Sequence, residues 1–220
     1  MVPIDVSART RRRYVRNILN VWRSATTEQQ QRGRAWYRTA HDLAAALTGG
    51  DARTGAGVIA ALSANKSWEA NVELARAACD TGLEGGHFAD ALAKAAAILA
   101  GADPADVLPT ERKTGQFFRC IADPDDPDVV VIDRHAHDIA VGRTYGQRDR
   151  GLSSARRYAL LADCYREAAR QLGELPSTVQ AVTWVVHTDR IAGTGTRPQR
   201  HHPVAPIATQ ARPAALVRAA

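Results

Sequence analysis

Apolar residues recur with helical spacing along most of the chain, and the N-terminal segment shows this first. Between Ser7 and Ala25, the side chains of Tyr14, Ile18, Val21 and Trp22 fall on one face of a helix. Arginines occupy the other faces of the same segment. This spacing predicts an amphipathic first helix with a basic outer surface.

Capping signals predict where the later helices begin and end. Thr26 and Thr27 precede Glu28-Gln29-Gln30, a pattern typical of an N-cap with a capping box, and the second helix is expected to run to Thr48. Further helices are predicted over residues 67–81, 87–100, 113–121, 133–143, 153–172 and 176–191, with a short one after Asp103-Pro104. Residues 57–63 are predicted to be a short apolar segment, 123–128 a loop, and 129–132 a short extended or buried link.

Composition supports an all-α fold. Apolar residues make up 45% of the 220 residues and aromatic residues only 5%, with alanine abundant, which favours closely packed helices over sheets. The length suits one domain, predicted over residues 1–192, with a disordered basic tail at 193–220 that lacks a periodic apolar face.

The cysteine pattern and the lengths of the apolar runs indicate the cellular compartment in which the protein is expected. Cys79, Cys120 and Cys164 are odd in number and far apart, which excludes a disulfide framework and a C-x-x-C site. No apolar run approaches the roughly 18 residues needed to span a bilayer, and the N-terminus has no signal-peptide pattern. We therefore expect a monomeric cytoplasmic protein with buried thiols and no membrane partner.

The net charge of +6 is unevenly distributed. Residues 1–25 carry six arginines and one aspartate, for +5, and residues 193–220 carry four arginines and no acid, for +4. Residues 26–192 therefore carry −3. Since nucleic-acid binding depends on where cations cluster, basic character is expected at the two ends and not in the body.

Three motifs at related spacing resemble one enzyme superfamily. They are Val58-Ile59-Ala60-Ala61-Leu62-Ser63-Ala64-Asn65, Leu108-Pro109-Thr110-Glu111-Arg112-Lys113-Thr114-Gly115 and Val130-Val131-Ile132-Asp133-Arg134-His135. In order and distance they resemble the early helix, the hairpin and the catalytic-aspartate segment of the helix-hairpin-helix (HhH-GPD, endonuclease III-like) DNA glycosylases. The resemblance covers residues 57–145 and implies a glycosylase-like helical bundle that performs base excision.

The resemblance also implies roles for individual residues. Asp133 would stabilise the positive charge that develops on the sugar, and Lys113 would act as a nucleophile in a bifunctional enzyme. Asn65 would fill the space left by a flipped nucleotide. Further DNA or substrate contacts would come from Arg112, Thr114 and His135. No cofactor is implied, because the iron–sulfur cysteines of some members are absent.

Each of these residues also has a structural interpretation. Asp133 precedes a predicted helix and could be only an N-cap, Lys113 could be an ordinary surface cation, and Asn65 could be a turn residue. A metal site at His135 and His137 is not predicted, because alternate residues of a helix point about 200° apart. Trp184 and His187 are predicted to pack in the core with a polar edge, and a stacking platform for a base is the alternative.

The hairpin departs from the family pattern. Thr110-Glu111 stands where the family has two glycines, which removes a phosphate-binding loop and adds a carboxylate. Two explanations remain open: the N-terminal arginines supply the phosphate contacts, or the substrate is modified or single-stranded DNA. The chain also resembles divergent glycosylase-fold proteins of phages and prophages.

Two functions therefore follow from the sequence. The first is a DNA N-glycosylase or related base-processing enzyme that acts on a damaged or modified base. The second is a non-catalytic nucleic-acid- or protein-binding module on the same scaffold, in which the terminal arginines bind.

Overall fold

Helices make up the regular structure of the computed structural model, which describes residue 3 and residues 5–82 and 85–193. The helices are α1 (Ala8–Arg23), α2 (Thr27–Leu47), α3 (Ala52–Ala61), α4 (Trp68–Thr81), α5 (Ala89–Leu99), α6 (Pro104–Val107), α7 (Lys113–Ala122), α8 (Arg134–Val141), α9 (Ala155–Leu172) and α10 (Pro176–Gly193). No strand occurs within the described ranges. The all-α prediction is confirmed. The predicted disordered tail at 193–220 lies outside the described residues except for Gly193, which ends α10.

The predicted capping box begins α2. The Thr26 hydroxyl accepts a hydrogen bond from the Gln29 backbone amide (3.2 Å), and the Gln29 side chain accepts one from the Thr26 amide (3.0 Å). Ser67 likewise caps α4 at the predicted residue. Each such cap is worth about 1 kcal/mol.

The third helix begins earlier than the sequence pattern indicated. Residues 57–63 were expected to form only a short apolar segment, but α3 already begins at Ala52 because Asp51 caps it through the Thr54 amide at 3.0 Å. Gly55 then allows α3 to pack directly on α2: a Cβ at this position would lie 2.1 Å from the Ala44 carbonyl oxygen.

Two hydrophobic clusters meet at α10. One joins α1, α8 and α9 and includes Ile18, Leu161 and Tyr165, while the other joins α2 to α7 and includes Ile59 and Phe118. Helix α10 contributes Val179 and Val182 to the first cluster and Ala181 to the second. A single helix therefore packs against both halves of the bundle.

The link at residues 129–132 is buried and non-helical, as predicted. Three side-chain hydrogen bonds hold its backbone: the Tyr158 hydroxyl donates to the Val130 carbonyl (3.1 Å) and accepts from the Ile132 amide (2.9 Å), and Gln116 accepts from the Val130 amide (3.3 Å). Gln116 also donates to the Thr110 carbonyl at 2.8 Å. This glutamine therefore ties the turn before α7 to the link before α8.

A buried ion pair fixes the far end of α8. Arg150 donates to both oxygens of Asp138 at 2.8 and 2.7 Å, His137 donates to the same carboxylate from Nδ1 at 2.8 Å, and the Tyr145 amide donates at 3.1 Å. Burial alone would raise the pKa of Asp138, but the hydrogen bonds from His137 and Arg150 outweigh it and hold this pKa well below its usual range.

Replacing Arg150 with alanine is expected to lower the free energy of unfolding by about 3–5 kcal/mol, because it leaves a buried carboxylate without its cation. Asp138 is only 4% exposed, so water cannot take the place of the guanidinium. The change is measured by urea denaturation against Arg148→Ala, which alters an exposed arginine of the same loop. Equal stability of the two variants would contradict this account.

Candidate functional site

A cavity of about 490 Å³ opens where α2, α4, α7, α8 and α10 meet. Aromatic side chains that line it are those of Trp36, Tyr37, Trp68, Phe117 and Trp184. The polar lining consists of Ser63, Asn65, Lys66, Ser67, Asn71, Lys113, Asp133, Arg134, His135 and Gln180. Its volume is within the range typical of ligand-binding pockets.

Asp133 lines this cavity and caps α8. Its Oδ1 accepts hydrogen bonds from the backbone amides of His135 (2.9 Å) and Ala136 (2.8 Å). The side chain is half-buried, and none of the described residues hydrogen-bonds the second oxygen, Oδ2. The capping interpretation is confirmed, and it leaves one carboxylate oxygen available for a ligand in the cavity.

Lys113 lines the same cavity from the first residue of α7. Its side chain is exposed and makes no ion pair or hydrogen bond with the described part of the chain. The turn before it closes through a hydrogen bond from the Arg112 amide to the Pro109 carbonyl at 3.2 Å. The structure thus brings the predicted acid and the predicted amine to one pocket.

Gly115 makes the close backbone approach at this turn. A Cβ at Gly115 would lie 2.3 Å from the Thr110 Cα and 2.5 Å from the Pro109 oxygen, so only glycine lets α7 fold back on the turn. Gly115 follows directly after the Arg112-Lys113-Thr114 segment of this turn. Gly115 therefore helps to set the position from which Lys113 reaches the cavity.

Asn65 adopts a left-handed backbone conformation, with φ of 58°, in the turn between α3 and α4. Asparagine tolerates this conformation better than most residues, so its interpretation as a turn residue is confirmed. Its side chain is exposed and lines the cavity. The predicted role in filling the space left by a nucleotide is compatible with this position.

The other predicted substrate-binding residues divide into two groups. His135 lines the cavity, and its ring lies edge-on to Trp184 at 6.2 Å and to His187 at 5.4 Å between ring centroids. Burial lowers the pKa of His187. Arg112 and Thr114 flank Lys113 in sequence but do not line the cavity.

The sequence did not predict most of the aromatic lining, and it indicated stacking on a base only as the alternative role of Trp184. Trp184, predicted to be core packing, is half-buried and faces the cavity. Trp36 packs near Trp68 (5.0 Å between ring centroids) and Phe117 (5.9 Å). One available signal was spacing, since Phe117 lies four residues after Lys113 and so on the same face of α7.

The cavity is electropositive although the body of the chain is not. Lys66, Lys113 and Arg134 line it against a single carboxylate, Asp133. Helices α4, α7 and α8 all begin at its wall, and each helix N-terminus carries a partial positive charge. An anionic ligand is therefore favoured at this place, which the −3 charge of residues 26–192 did not indicate.

The described residues were also compared with the requirements of a metal site and of a membrane-spanning helix. Within residues 5–82 and 85–193, no group of three His, Cys, Asp or Glu side chains could hold a metal ion. None of the described helices has the length and apolar character that crossing a membrane requires. The three cysteines are free thiols, and burial raises the pKa of Cys164 to about 11.

The chain belongs to a family of unknown function, DUF7178, whose model matches residues 1–191. No curated protein and no solved structure matches the chain. The match covers the ten helices of the described residues except the end of α10. The function must therefore be argued from the site itself.

Proposed function

We propose that this protein is a DNA N-glycosylase, or a related base-processing enzyme, of the helix-hairpin-helix superfamily type, acting on a damaged or modified base. The observation that carries the proposal is that Asp133 and Lys113, twenty residues apart in sequence, line one cavity. The two residues belong to different segments of the chain, so only the tertiary fold brings them to the same cavity.

The free oxygen of Asp133 suits the cleavage step. When the N-glycosidic bond breaks, the electron pair leaves with the base and positive charge develops on the sugar. A carboxylate beside the anomeric carbon stabilises that charge and accepts a proton from the water that adds to the carbon. The backbone amides of His135 and Ala136 hold Oδ1, so the orientation of Oδ2 is fixed.

Lys113 suits a second step on the same carbon. After the base has left, the sugar carbon is an aldehyde in equilibrium with its ring form. The neutral amine of a lysine adds to this aldehyde, water leaves, and a Schiff base remains. Such an intermediate leads to strand cleavage in bifunctional enzymes.

The rest of the lining suits an extrahelical nucleotide. A base cannot be reached inside stacked duplex, so enzymes of this kind turn it out into a pocket at a cost of a few kcal/mol. Aromatic rings such as those of Trp36, Trp68 and Trp184 stack on bases and offset about 1–3 kcal/mol of that cost. The lysines and Arg134 would meet the phosphates.

A panel of oligonucleotides tests the proposal. Each carries one uracil, alkylated, oxidised or hypermodified base, in single-stranded and in duplex form, and base release is detected as strand cleavage after alkali. We expect release from at least one modified base. Replacing the exposed Arg9, Arg12 and Arg16 with glutamine should affect the rate mainly by weakening substrate binding. Release from no member of the panel would count against the enzyme.

The second candidate function is a non-catalytic nucleic-acid-binding module. One observation favours it: Arg9, Arg12 and Arg16 are exposed on one side of α1 and make no ion pair with the residues that the structure describes. Binding through these arginines would weaken steeply with salt concentration and would be lost when Arg9, Arg12 and Arg16 are replaced with glutamine. It would not depend on Asp133.

A further inference from the structure

Asn71 is a buried amide without a partner. It lies on α4, is 3% exposed, and its carboxamide makes no hydrogen bond with any residue in the described ranges. Four buried side-chain atoms are unpaired in this part of the chain: Glu69 Oε1, Asn71 Oδ1, His137 Nε2 and His187 Nε2. Of these four residues, Asn71 alone lines the cavity.

An unpaired buried amide destabilises a fold, because the group has lost its hydrogen bonds to water and gained none. Apart from the four atoms named above, the buried polar side-chain atoms of the described residues have hydrogen-bond partners. Gln116, for example, uses both its oxygen and its nitrogen. The unpaired amide of Asn71 therefore indicates a ligand that completes its hydrogen bonds.

Gln180 on α10 presents a second amide to the same cavity. Its Oε1 accepts a hydrogen bond of 2.8 Å from the Tyr37 hydroxyl. Burial raises the pKa of Tyr37 well above its usual value, so the phenol keeps the proton that it donates. The glutamine oxygen is thereby occupied, and its Nε2 is left as a donor without a partner among the described residues.

Aromatic rings accompany the two amides. Trp36 and Trp68 lie 5.0 Å apart between centroids and are both half-buried, so part of each ring is exposed to the cavity. A ligand with a flat ring and hydrogen-bonding groups along its edge would stack on the tryptophans and hydrogen-bond with the two amides. Nucleobases have both properties.

We propose that Asn71 and Gln180 are the specificity-determining residues of the cavity and bind the polar edge of a nucleobase that stacks on its tryptophans. Asn71 can accept from a ring N–H or amino group and can donate to a carbonyl, and Gln180 donates to an acceptor. The choice of a base as ligand rests on the proposed function. Binding itself requires neither Asp133 nor Lys113.

Tryptophan fluorescence tests this proposal without any reaction. Three of the four tryptophans line the cavity, and the fourth, Trp22, is buried in the first hydrophobic cluster. Titration of the full chain with deoxyadenosine, deoxycytidine, deoxyguanosine and thymidine should give saturable quenching with at least one of them. Asn71→Leu should weaken that binding at least tenfold.

The melting temperature of the same variant separates recognition from packing. Because Asn71→Leu removes an unpaired buried amide and keeps the branched shape of the side chain, with the added methyl volume directed at the cavity, it should raise the melting temperature by about 2–4 °C. Asn20→Leu, on the exposed face of α1, is the matched control and should change neither binding nor melting temperature by a comparable amount.

Three outcomes would overturn the proposal: no quenching by any of the four nucleosides, unchanged affinity in Asn71→Leu, or a lower melting temperature accompanied by equal weakening for all nucleosides. These outcomes are distinguishable from failure of the enzyme. Nucleoside binding that requires Asn71, without base release from any oligonucleotide, would support this recognition site and reject the glycosylase. Base release that is unaffected by Asn71→Leu would do the reverse.

Discussion

Replacing Asp133 with asparagine is expected to slow base release by about 10²- to 10⁴-fold while leaving the melting temperature almost unchanged. Asparagine and aspartate are equally good N-caps, and an amide oxygen can accept the same bonds from the amides of His135 and Ala136. The negative charge is lost, and with it the proton acceptor and the stabilisation of the sugar cation. Single-turnover rates of base release measure the effect.

Two further variants separate charge from capping. Asp133→Ala removes both, so it should reduce the rate as much as asparagine does and also lower stability by about 1 kcal/mol. Asp51 caps α3 in the same way but does not line the cavity, so Asp51→Asn should leave base release unchanged. Full base release in Asp133→Asn would show that this residue is only a cap and would contradict its catalytic role. Nucleic-acid binding that persists in Asp133→Asn, without base release by the wild type, would instead favour the binding module.

The parts of the fold that depend on neighbouring residues could be predicted from the sequence. The capping box of Thr26 and Gln29 and the cap at Ser67 are local, and both were predicted at the correct residue. The helical spacing of apolar residues was sufficient for the all-α class. The start of α3 was not predicted. The predicted segment began with the apolar run at residue 57, and the N-cap at Asp51, six residues earlier, was not recognised.

The sequence predicted the charged residues of the candidate site but not most of its aromatic lining. Asp133 and Lys113 stand in motifs with recognisable spacing, so their meeting could be proposed before the cavity was seen. Trp36 and Trp184 belong to helices separated by well over a hundred residues, and helical periodicity alone cannot tell a cavity-lining ring from a core ring. Only tertiary packing distinguishes the two.

The net charge of residues 26–192 did not predict the positive charge around the cavity, because that charge also depends on tertiary packing. The sum over residues 26–192 is negative, but several carboxylates lie in surface ion pairs, such as Arg38 with Asp125 and Arg53 with Asp103, or in the loop at 123–128. The cavity gathers cations from three separate segments. Local potential depends on this placement, which the sequence total does not contain.

Replacing Lys113 with alanine is expected to reduce covalent trapping on abasic-site DNA to background. The wild-type amine would form a Schiff base with the sugar aldehyde, and borohydride would reduce it to a stable amine that is visible as a protein–DNA adduct on a denaturing gel. Alanine has no amine, so no Schiff base can form at this position.

Two basic neighbours give matched controls for this experiment. Arg112→Ala removes an adjacent charge outside the cavity, and a guanidinium does not form the adduct, so trapping should persist. Lys66→Ala removes a cation from the cavity lining itself, where its Nζ donates to the Gly86 carbonyl at 3.0 Å. It should weaken DNA binding and leave the trapped fraction of bound DNA unchanged.

Comparing trapping in the Lys113→Ala and Lys66→Ala variants shows which lysine forms the adduct. Trapping lost only in Lys113→Ala identifies the first residue of α7 as the attacking group. Trapping lost only in Lys66→Ala would mean that the turn between α3 and α4 supplies the amine, and Lys113 would then be a phosphate ligand. Trapping that survives when Lys113 and Lys66 are both replaced with alanine would exclude a lysine of this cavity, because these two are the lysines that line it.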